Sequence, residues 1–314
     1  MKSAKRVAII DLGTNTFHLL VADIHNNSFK VIHSETTPVR IGAGGITKGF
    51  ITPEAQIRAL QTLRKFKTTS DNLDVGIVKI YATSAFRSAG NAGTFISKIK
   101  SATGLKPQII DGESEAEFIY AGVREAIQMQ DIIHLIIDIG GGSNEFIICD
   151  AKQIMWSESF EIGAQRLKDR FHNDEPISEN DVERLYQFLD ERLAPLSEAL
   201  MCYQPEVLAG CAGTFDTLSD IFEIRNNIPS TKGKSEGNFD KSAFVPIFQE
   251  LKSKTYEERM CIPGMTPLRA EMIVMATCLI NWVLSKHLFK KMRISRYAMK
   301  EGILFNLMYR NTSL

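Results

Sequence analysis

Two segments of this 314-residue chain repeat one another, and this internal repeat constrains the fold more than any other feature. The segment IIDLGTNTFHLLVAD (9–23) aligns without gaps with IIDIGGGSNEFIICD (136–150). Asp11 aligns with Asp138, and the flanking positions are apolar in both copies. Each copy predicts a β-hairpin, because two apolar runs are joined by a turn rich in small and polar residues. Two unrelated hairpins could share such turns, but the matched carboxylates and strands favour a duplicated domain.

Two similar halves that face one another would form a cleft with both turns at its floor. The rest of the chain supports this arrangement, because residues 77–99, 106–127 and 205–222 each have the pattern of a strand followed by a helix. Such alternation is typical of mostly parallel sheets. The sequence therefore predicts a duplicated α/β protein with a hairpin at the start of each half. The polar, turn-rich tract at 225–240 is predicted to be a surface loop.

The composition argues against several classes of function. Hydrophobic residues make up 44% and charged residues 24%, as in ordinary globular proteins. The 37 basic and 37 acidic residues cancel, whereas proteins that coat DNA or RNA are usually basic, so no nucleic-acid partner is predicted. The first apolar run is interrupted by Asp11, unlike a signal peptide, and the run at 272–284 is too short for a confident membrane span. Five cysteines without a CxxC pair favour reduced thiols and a cytoplasmic location, with no membrane partner.

Glycine-rich turns suit phosphate binding because consecutive backbone N–H groups can point at one oxyanion. One such turn is weak support, but two facing copies and a third turn before a predicted helix indicate phosphate or nucleotide handling. The candidate phosphate-binding residues are Gly13, Thr14, Asn15 and Thr16 in the first turn, Gly140, Gly141, Gly142 and Ser143 in the second, and Gly213 and Thr214 in the third.

Three carboxylates near these turns are candidate metal ligands. Asp138 ends one predicted strand and Glu145 begins the returning strand, so both can face the same turn. Mg²⁺ takes one or two protein carboxylates and completes its shell with water and phosphate oxygens. Asp11, the duplicate of Asp138, would approach the same Mg²⁺ or other divalent cation from the other half. The alternative is that both aspartates only stabilise their turns.

The segment DGESEAEF (111–118) combines signals for a helix start with candidate catalytic acids. Acidic residues favour a helix start, and Ser114 with Glu117 fits a capping box. The functional alternative is that Glu113, Glu115 or Glu117 orients or deprotonates an attacking water, and the composition does not choose among them.

Arginines supply the candidate ligands for the substrate phosphates. Arg87 follows a strand and a Ser/Thr-rich turn and could clamp a phosphate, although a solvated helix arginine has the same pattern. Arg40 and Arg166 are weaker candidates of the same kind. His18 lies in an apolar hairpin strand and is predicted to be a packed structural residue.

Together these segments resemble the Ppx/GppA family, which contains exopolyphosphatases and guanosine pentaphosphate phosphohydrolases of the actin/Hsp70/sugar-kinase superfold. The matching segments are AIIDLGTNTFHLLVA, YATSAFRSAGN, IIDGESEAEFIYAGV, LIIDIGGGSNEFII, GCAGTFDTL, PGMTPLRAEMIVMA and RYAMKEGIL. The resemblance implies two ribonuclease H-like (actin-like ATPase) domains with a cleft between them. Domain I would be residues 1–123, completed by a C-terminal helix at 299–314, and domain II would be residues 124–298. The chain departs from the family at CAGT, where Ser-Gly-Thr is commoner.

The resemblance also implies roles for individual residues. Glu115 matches the catalytic glutamate, Arg87 the phosphate-clamping arginine, and Asp138 and Glu145 the metal-associated carboxylates. The implied activity is release of terminal orthophosphate from inorganic polyphosphate or from pppGpp, in a protein that could form a homodimer. Since the chain ends soon after the last matching segment, the additional helical domains of longer members are not expected. The rival functions are an ATP-binding, kinase-like protein and a non-catalytic polyphosphate or alarmone sensor of the same superfold.

Overall fold

The structure is a computed structural model that describes residues 5–25 and 28–312. Two β-sheets run through the described part of the chain. The strands of the first sheet are β1 (Lys5–Leu12), β2 (Thr16–His25), β3 (Ser28–Pro38), β4 (Ile77–Ala82) and β5 (Gln108–Ile109). The strands of the second are β6 (His134–Ile139), β7 (Asn144–Cys149), β8 (Ile154–Phe160), β9 (Val207–Cys211), β10 (Glu236–Gly237) and β11 (Lys291–Ser295).

The two sheets share one strand plan. The first has the order β3-β2-β1-β4-β5, with β1, β2 and β3 antiparallel and β4 and β5 added in parallel. In the second sheet, β6, β7 and β8 are antiparallel, β9 pairs in parallel with β6, and β11 pairs in parallel with β9. The predicted duplication of a ribonuclease H-like, mixed α/β unit is therefore confirmed.

The tract at 225–240 is more ordered than a simple loop. It contributes β10, which pairs antiparallel with β11 at the edge of the second sheet. The buried Thr231 is also held, because its N–H donates to Glu223 Oε2 at 3.1 Å. The prediction of a surface loop therefore holds for most of this tract, whose residues are largely exposed, but not for Glu236–Gly237, since local polarity does not reveal that a distant strand is available for pairing.

Helices cover both sheets. They are α1 (Pro53–Asn72), α2 (Ser84–Ser88), α3 (Ala92–Thr103), α4 (Gly112–Ala126), α5 (Ala164–Phe171), α6 (Glu179–Arg192), α7 (Ala194–Tyr203), α8 (Ala212–Arg225), α9 (Phe244–Ser253), α10 (Tyr256–Met260), α11 (Pro267–Ala270), α12 (Ile273–Lys286) and α13 (Met299–Thr312). Within residues 5–25 and 28–312, none of them is both long enough and apolar enough to cross a lipid bilayer.

Strand alternation divides the apolar side chains between two faces of each sheet. In β1, Ile10 packs with α1 and α3 in one core, whereas Ile9 packs in a second core with α4 and α13. This second core also contains Ile136 of β6, so facing sides of both sheets share it. A third core, on the other face of the second sheet, includes residues of α5 to α9 and of α12.

Helices α4 and α13 approach one another closely at two glycines. A Cβ atom at Gly302 would lie 2.7 Å from the carbonyl carbon of Phe118, and one at Gly122 would lie 3.1 Å from the backbone nitrogen of Gly302. This approach holds the first turn of α13 beside the carboxyl ends of the central strands. Residues 1–4, 26–27 and 313–314, which belong to the predicted domain I and its C-terminal helix, lie outside the described residues.

Candidate active site

The two glycine-rich turns close their hairpins in the same way. The N–H group of Gly13 donates to the carbonyl of Thr16, and the N–H group of Gly140 donates to the carbonyl of Ser143, each at 3.1 Å. The alignment of residues 9–23 with residues 136–150 therefore corresponds to a repeated backbone geometry.

The turns also touch one another across the two halves. A Cβ atom at Gly141 would lie 2.5 Å from the side-chain nitrogen of Asn15. One at Gly142 would lie 2.9 Å from Cβ of Ser84 and closer still to the hydroxyl oxygen of Thr14. A side chain at either position would have to displace side chains of the facing half, namely Asn15 at Gly141 and Thr14 with Ser84 at Gly142.

The second turn is held from behind by the start of α5. The N–H groups of residues 163–165 donate to the carbonyl oxygens of residues 140–142 at 2.9–3.0 Å. In the described part of the chain, the N–H groups of Gly141, Gly142 and Ser143 donate to no other protein group. They form a set of backbone donors of the kind that binds an oxyanion.

The first turn is held in a similar way. The carbonyl of Asn15 accepts hydrogen bonds from the N–H groups of Val39 and Arg40 at 2.9 and 2.8 Å, and the carbonyl of Thr14 accepts one from Gly42 at 3.1 Å. The hydroxyl oxygen of Thr14 and the side-chain oxygen of Asn15 are buried and have no hydrogen-bond partner among the described residues. Buried polar atoms normally have partners, so these atoms indicate that a polar ligand or water completes the site.

A third turn contributes the start of α8. Gly213 and Thr214 lie in its first turn, directly after β9. Ala212 has a φ of 62°, in the left-handed region that favours glycine. The guanidinium of Arg269 packs on Gly213, where a Cβ atom would lie 2.5 Å from Nε.

These turns enclose a cavity of about 260 Å³ between the two halves. The glycine-turn residues, the three candidate metal ligands and Glu115 all line it: Asp11, Gly13, Thr14, Asn15, Thr16, Glu115, Asp138, Gly140, Gly141, Gly142, Ser143, Glu145, Gly213 and Thr214. Arg87 instead lines a neighbouring cavity with Glu113, Glu158 and Glu161. The structure thus brings together residues that are up to 203 positions apart in sequence, from Asp11 to Thr214.

Two carboxylates project into the cavity from one hairpin. Asp138 and Glu145 are direct cross-strand partners of β6 and β7, so their side chains share a face of the sheet. Burial and the nearby Glu145 raise the pKa of Asp138 to about 7, and burial also raises the pKa of Glu145. The thiol of Cys211 donates a hydrogen bond to Asp138 Oδ2 at 3.4 Å.

The corresponding positions in the first half are Asp11 and His18, which are also cross-strand partners. Burial raises the pKa of Asp11 to about 7, although Lys300 opposes this effect. Burial lowers the pKa of His18 to about 3, so its imidazole is neutral at pH 7. His18 shares hydrogen bonds with the hydroxyls of Thr16 and Thr36, each at 2.9 Å, on the wall of the cavity.

These oxygen donors fit a hard divalent cation. Asp11, Asp138 and Glu145 are carboxylates whose charge is disfavoured by burial and by one another. Within the described residues, no group of three or more His, Cys, Asp or Glu side chains is close enough to hold a metal by itself. That finding is compatible with Mg²⁺, which is usually bound by one or two carboxylates together with water and substrate phosphates.

Of the three candidate glutamates at the start of α4, only Glu115 is buried and lines the cavity. The side chain of Asp111 caps the helix by accepting the N–H of Ser114 at 2.8 Å, so the predicted capping box between Ser114 and Glu117 is wrong. Glu115 then lies in the first helical turn, is only 8% exposed and faces the cavity, whereas Glu113 and Glu117 are exposed.

Arg87 forms an ion pair with this glutamate. Its Nη1 donates to Glu115 Oε2 at 2.5 Å and to the carbonyl of Ile110 at 3.2 Å. Its Nε donates to Glu161, and its Nη2 is close to the hydroxyls of Ser143 and Ser159 as well as to Glu161. Burial and the neighbouring Glu145 raise the pKa of Glu115 well above its ordinary value, and Arg87 opposes that shift.

Arg40 and Arg166 do not line the cavity but connect the two halves. Arg40 forms an ion pair with Glu271 at 2.7 Å. Arg166 donates from Nε to the carbonyl of Gly142 at 2.9 Å and from Nη1 to the carbonyl of Ile46 at 3.2 Å.

Three cations that line the cavity were not identified as candidates from sequence, and one of them, Arg296, forms ion pairs with Asp216 and Asp220. The other two are Arg269 and Lys300. The guanidinium of Arg269 makes no hydrogen bond or ion pair with a described residue, and burial lowers its pKa. Lys300, in the first turn of α13, lies 3.1 Å from Glu301. Both residues lie in segments noted for their resemblance, PGMTPLRAEMIVMA and RYAMKEGIL, but nothing in those segments indicates that they face the glycine turns.

Two ribonuclease H-like units with facing glycine turns and a cavity between them define this protein as a phosphate-handling member of the actin-like superfold. Residues 20–311 match the model of the Ppx/GppA phosphatase family, and the chain belongs to that family. The crystal structure of an exopolyphosphatase from Cytophaga hutchinsonii is 42% identical, with 98% of each chain covered and a TM-score of 0.94.

More distant structures show the same fold. The Ppx/GppA family member of Aquifex aeolicus is 24% identical, with 98% of this chain and 99% of that chain covered and a TM-score of 0.81. An exopolyphosphatase-like protein is 20% identical, with 99% of this chain and 100% of that chain covered and a TM-score of 0.88.

Proposed function

We propose that this protein is an exopolyphosphatase, a phosphoanhydride hydrolase that releases terminal orthophosphate from inorganic polyphosphate. The observation that carries the proposal is the pair of facing turns, whose backbone N–H donors share one cavity with Glu115. Family membership and the similarity to the Cytophaga hutchinsonii exopolyphosphatase support it. The 5′ end of pppGpp presents the same terminal phosphoanhydride, and we include it as a second substrate.

The glycine turns bind the terminal phosphoryl group in this proposal. The N–H groups of Gly141, Gly142 and Ser143 contact its oxygens from one half, and the hydroxyl of Thr14 donates from the other. The unpaired guanidinium of Arg269 neutralises charge on the adjoining phosphate. Phosphoryl transfer depends mainly on such positioning and electrostatic stabilisation, because the protein has little covalent chemistry to perform.

Glu115 orients and deprotonates the attacking water. Its carboxylate faces the cavity, and the ion pair with Arg87 favours the ionised form that can accept a proton. Burial opposes ionisation and therefore makes the carboxylate more basic than an exposed glutamate. General-base catalysis of this kind contributes about 10²–10⁴-fold to the rate.

Asp138 and Glu145 would hold Mg²⁺ or another divalent cation, and Asp11 from the other half would add negative charge to the same cavity. When bound, the cation would neutralise negative charge on the phosphate oxygens. The remaining steps depend on groups of the chain: the turns exclude water from behind the phosphate, and Glu115 accepts the proton.

We also propose the division into domain I (1–123 with 299–314) and domain II (124–298), a cytoplasmic location and, from the family resemblance, a homodimer. The cavity lies between the two halves, so a hinge motion would admit substrate and close around it. Light scattering would measure the oligomeric state, and a monomer at micromolar concentration would contradict the dimer.

The test is orthophosphate release from polyphosphate, pppGpp and ATP, each with Mg²⁺, by wild-type protein and Glu115→Gln. Wild type should release orthophosphate from polyphosphate, and Glu115→Gln should be slower by about 10²–10⁴-fold. Glu117→Gln is the matched control, because Glu117 is an exposed glutamate of the same helix and should retain wild-type rates.

The rival functions give different results. Tight ATP binding with transfer to another acceptor would indicate a kinase-like protein, and binding of polyphosphate or pppGpp without release would indicate a sensor. Comparable rates for wild type and Glu115→Gln would remove Glu115 from the assigned role.

A further inference from the structure

Glu161, directly after β8, uses both carboxylate oxygens to join groups around the candidate site. Its Oε2 accepts a short hydrogen bond from the hydroxyl of Ser84 and another from Arg166 Nη2 at 3.0 Å. Its Oε1 accepts from Nε and Nη2 of Arg87 at 3.3 and 3.2 Å. Ser84 and Arg87 belong to the first half, whereas Glu161 and Arg166 belong to the second, so this one carboxylate spans the cleft.

Each of these partners contacts a part of the catalytic arrangement proposed above. Arg87 donates to Glu115, the proposed base. Arg166 donates to the carbonyl of Gly142 in the second phosphate turn. Ser84 lies against the same glycine, where a Cβ atom would be 2.9 Å from the Ser84 Cβ.

The guanidinium of Arg87 has no spare donor in this arrangement. An arginine has five N–H groups in a fixed plane, and those of Arg87 are directed at Glu115, Glu161, two serine hydroxyls and one backbone carbonyl. Its Nη2 makes three contacts of 3.2 to 3.4 Å, and one of them reaches Ser143 of the phosphate turn. A phosphate bound at that turn would therefore recruit Nη2, while Nη1 keeps its bond to Glu115.

The carboxylates near Arg87 compete for it. Glu115 is paired with Nη1, and Glu145 lies 3.9 Å from Nη2 in the main cavity. Glu161 is on the other side of the guanidinium and is partly exposed, with 35% of its side chain accessible. Without Glu161, Arg87 would lose the anion that holds its Nε edge. The guanidinium would then move toward the two buried glutamates, Glu115 and Glu145.

We propose that Glu161 is a positioning residue that orients Arg87, so that one end of the guanidinium holds Glu115 and the other reaches the phosphate turn. This inference rests on the proposed function. Glu161 touches neither substrate nor the attacking water; its effect on turnover passes through Arg87.

A double-mutant cycle tests the inference. The variants are Glu161→Gln, Arg87→Ala and the combination of both, assayed for kcat/KM with polyphosphate. Glu161→Gln should lower kcat/KM by about tenfold in the wild-type background, which corresponds to ~1.4 kcal/mol. In the Arg87→Ala background the same substitution should change kcat/KM by less than about twofold, because interacting residues are not additive.

Glu158→Gln is the matched control. Glu158 lies three positions earlier, lines the same neighbouring cavity as Glu161 and makes no hydrogen bond or ion pair with Arg87, so this variant should retain wild-type kcat/KM. Melting temperatures of all variants should be measured alongside.

Equal losses from Glu161→Gln in both backgrounds would overturn the inference, because a purely structural role weakens the enzyme whether or not Arg87 is present. A Glu161→Gln variant with wild-type kcat/KM would overturn it as well. If wild type releases no orthophosphate, the proposed function fails separately, and the cycle is then measured as calorimetric affinity for tripolyphosphate. Additive affinity losses would reject the inference, and non-additive losses would support it.

Discussion

Replacing Gly163 by alanine should impair catalysis more than stability. Gly163 precedes α5 and has φ −57° and ψ 163°, a conformation open to any residue, so alanine introduces no backbone strain there. The added methyl group is the whole perturbation. It would lie 2.5 Å from the carbonyl oxygen of Gly141, and it would be closer still to the carbonyl carbon of Gly141 and to the backbone nitrogen of Gly142.

The size of the effect follows from that contact. Ordinary contacts of a Cβ atom begin at 3.4 Å, so the turn and α5 must separate by roughly 1 Å. Overpacking of this kind costs about 1–3 kcal/mol, a fraction of the 5–15 kcal/mol that typically stabilises a folded protein. A displacement of about 1 Å in the groups that position a substrate costs about 10²-fold in rate. The Gly163→Ala variant should therefore fold and should lose about 10²-fold in kcat/KM.

The assay is orthophosphate release from polyphosphate, with a thermal melt of the same samples. Gly93→Ala is the control, because Gly93 lies in α3 and a methyl group there would meet no atom within 4 Å. That variant should keep full activity and gain about 0.5–1 kcal/mol, since alanine replaces glycine in a helix. If Gly163→Ala stays folded and remains within about threefold of wild type, residues 140–143 do not position the reacting phosphate.

Three further predictions address stability, metal binding and substrate affinity. Gly302→Ala should lower the melting temperature by several degrees, because its methyl group would lie 2.7 Å from the carbonyl carbon of Phe118 and would separate α4 from α13; an unchanged melt would contradict this. Asp11 and Asp138 have pKa values of about 7 in the folded state, above their ordinary 3.8, so between pH 4 and 7 the folded state binds more protons than the unfolded state. The free energy of unfolding of the metal-free protein should therefore decrease as the pH rises from 4 to 7. Mg²⁺ favours the ionised carboxylates and should raise the melting temperature more at pH 8 than at pH 5; equal shifts would argue against these ligands. Arg269→Ala should raise KM for tripolyphosphate about tenfold with a smaller effect on kcat, because one charge-assisted hydrogen bond is worth about 1.5–3 kcal/mol, and an unchanged KM would exclude its contact with phosphate.

The sequence predicted the elements that depend on local patterns. The hairpins were predictable because alternating apolar strands and a glycine turn lie within 15 residues of one another, as in residues 9–23. The duplication was predictable because it repeats those same local signals. The helix that carries Glu115 was also predictable, although its cap was assigned to Ser114 and Glu117 instead of Asp111, because capping signals overlap in an acidic segment.

Features that depend on distant contacts were not predictable in this way. Arg269 and Glu161 have ordinary local surroundings, and their importance comes from groups 56 and 77 positions away, Gly213 and Ser84. Strand β10 escaped prediction because its partner, β11, is more than 50 positions later in the chain. The two halves must be assembled before any of these neighbours can be identified.

The two copies of the hairpin differ where chemistry requires a difference. Both copies place an aspartate opposite a second polar residue across the strands, but that residue is Glu145 in the second half and His18 in the first. With a pKa of about 3, His18 adds no charge near pH 7, whereas Glu145 adds a carboxylate next to Asp138. In the function proposed above, the repeated backbone would supply N–H donors for phosphate twice, while the acidic pair occurs once and would give the cavity a defined side for a cation. Replacing His18 with glutamate would make the halves alike, and the new carboxylate would repel Asp11, its cross-strand partner, and the other acids that line the cavity. We expect a His18→Glu variant to lose orthophosphate release while His18→Gln, which keeps the hydrogen bonds to Thr16 and Thr36, retains it; equal activities would show that the asymmetry has no catalytic role.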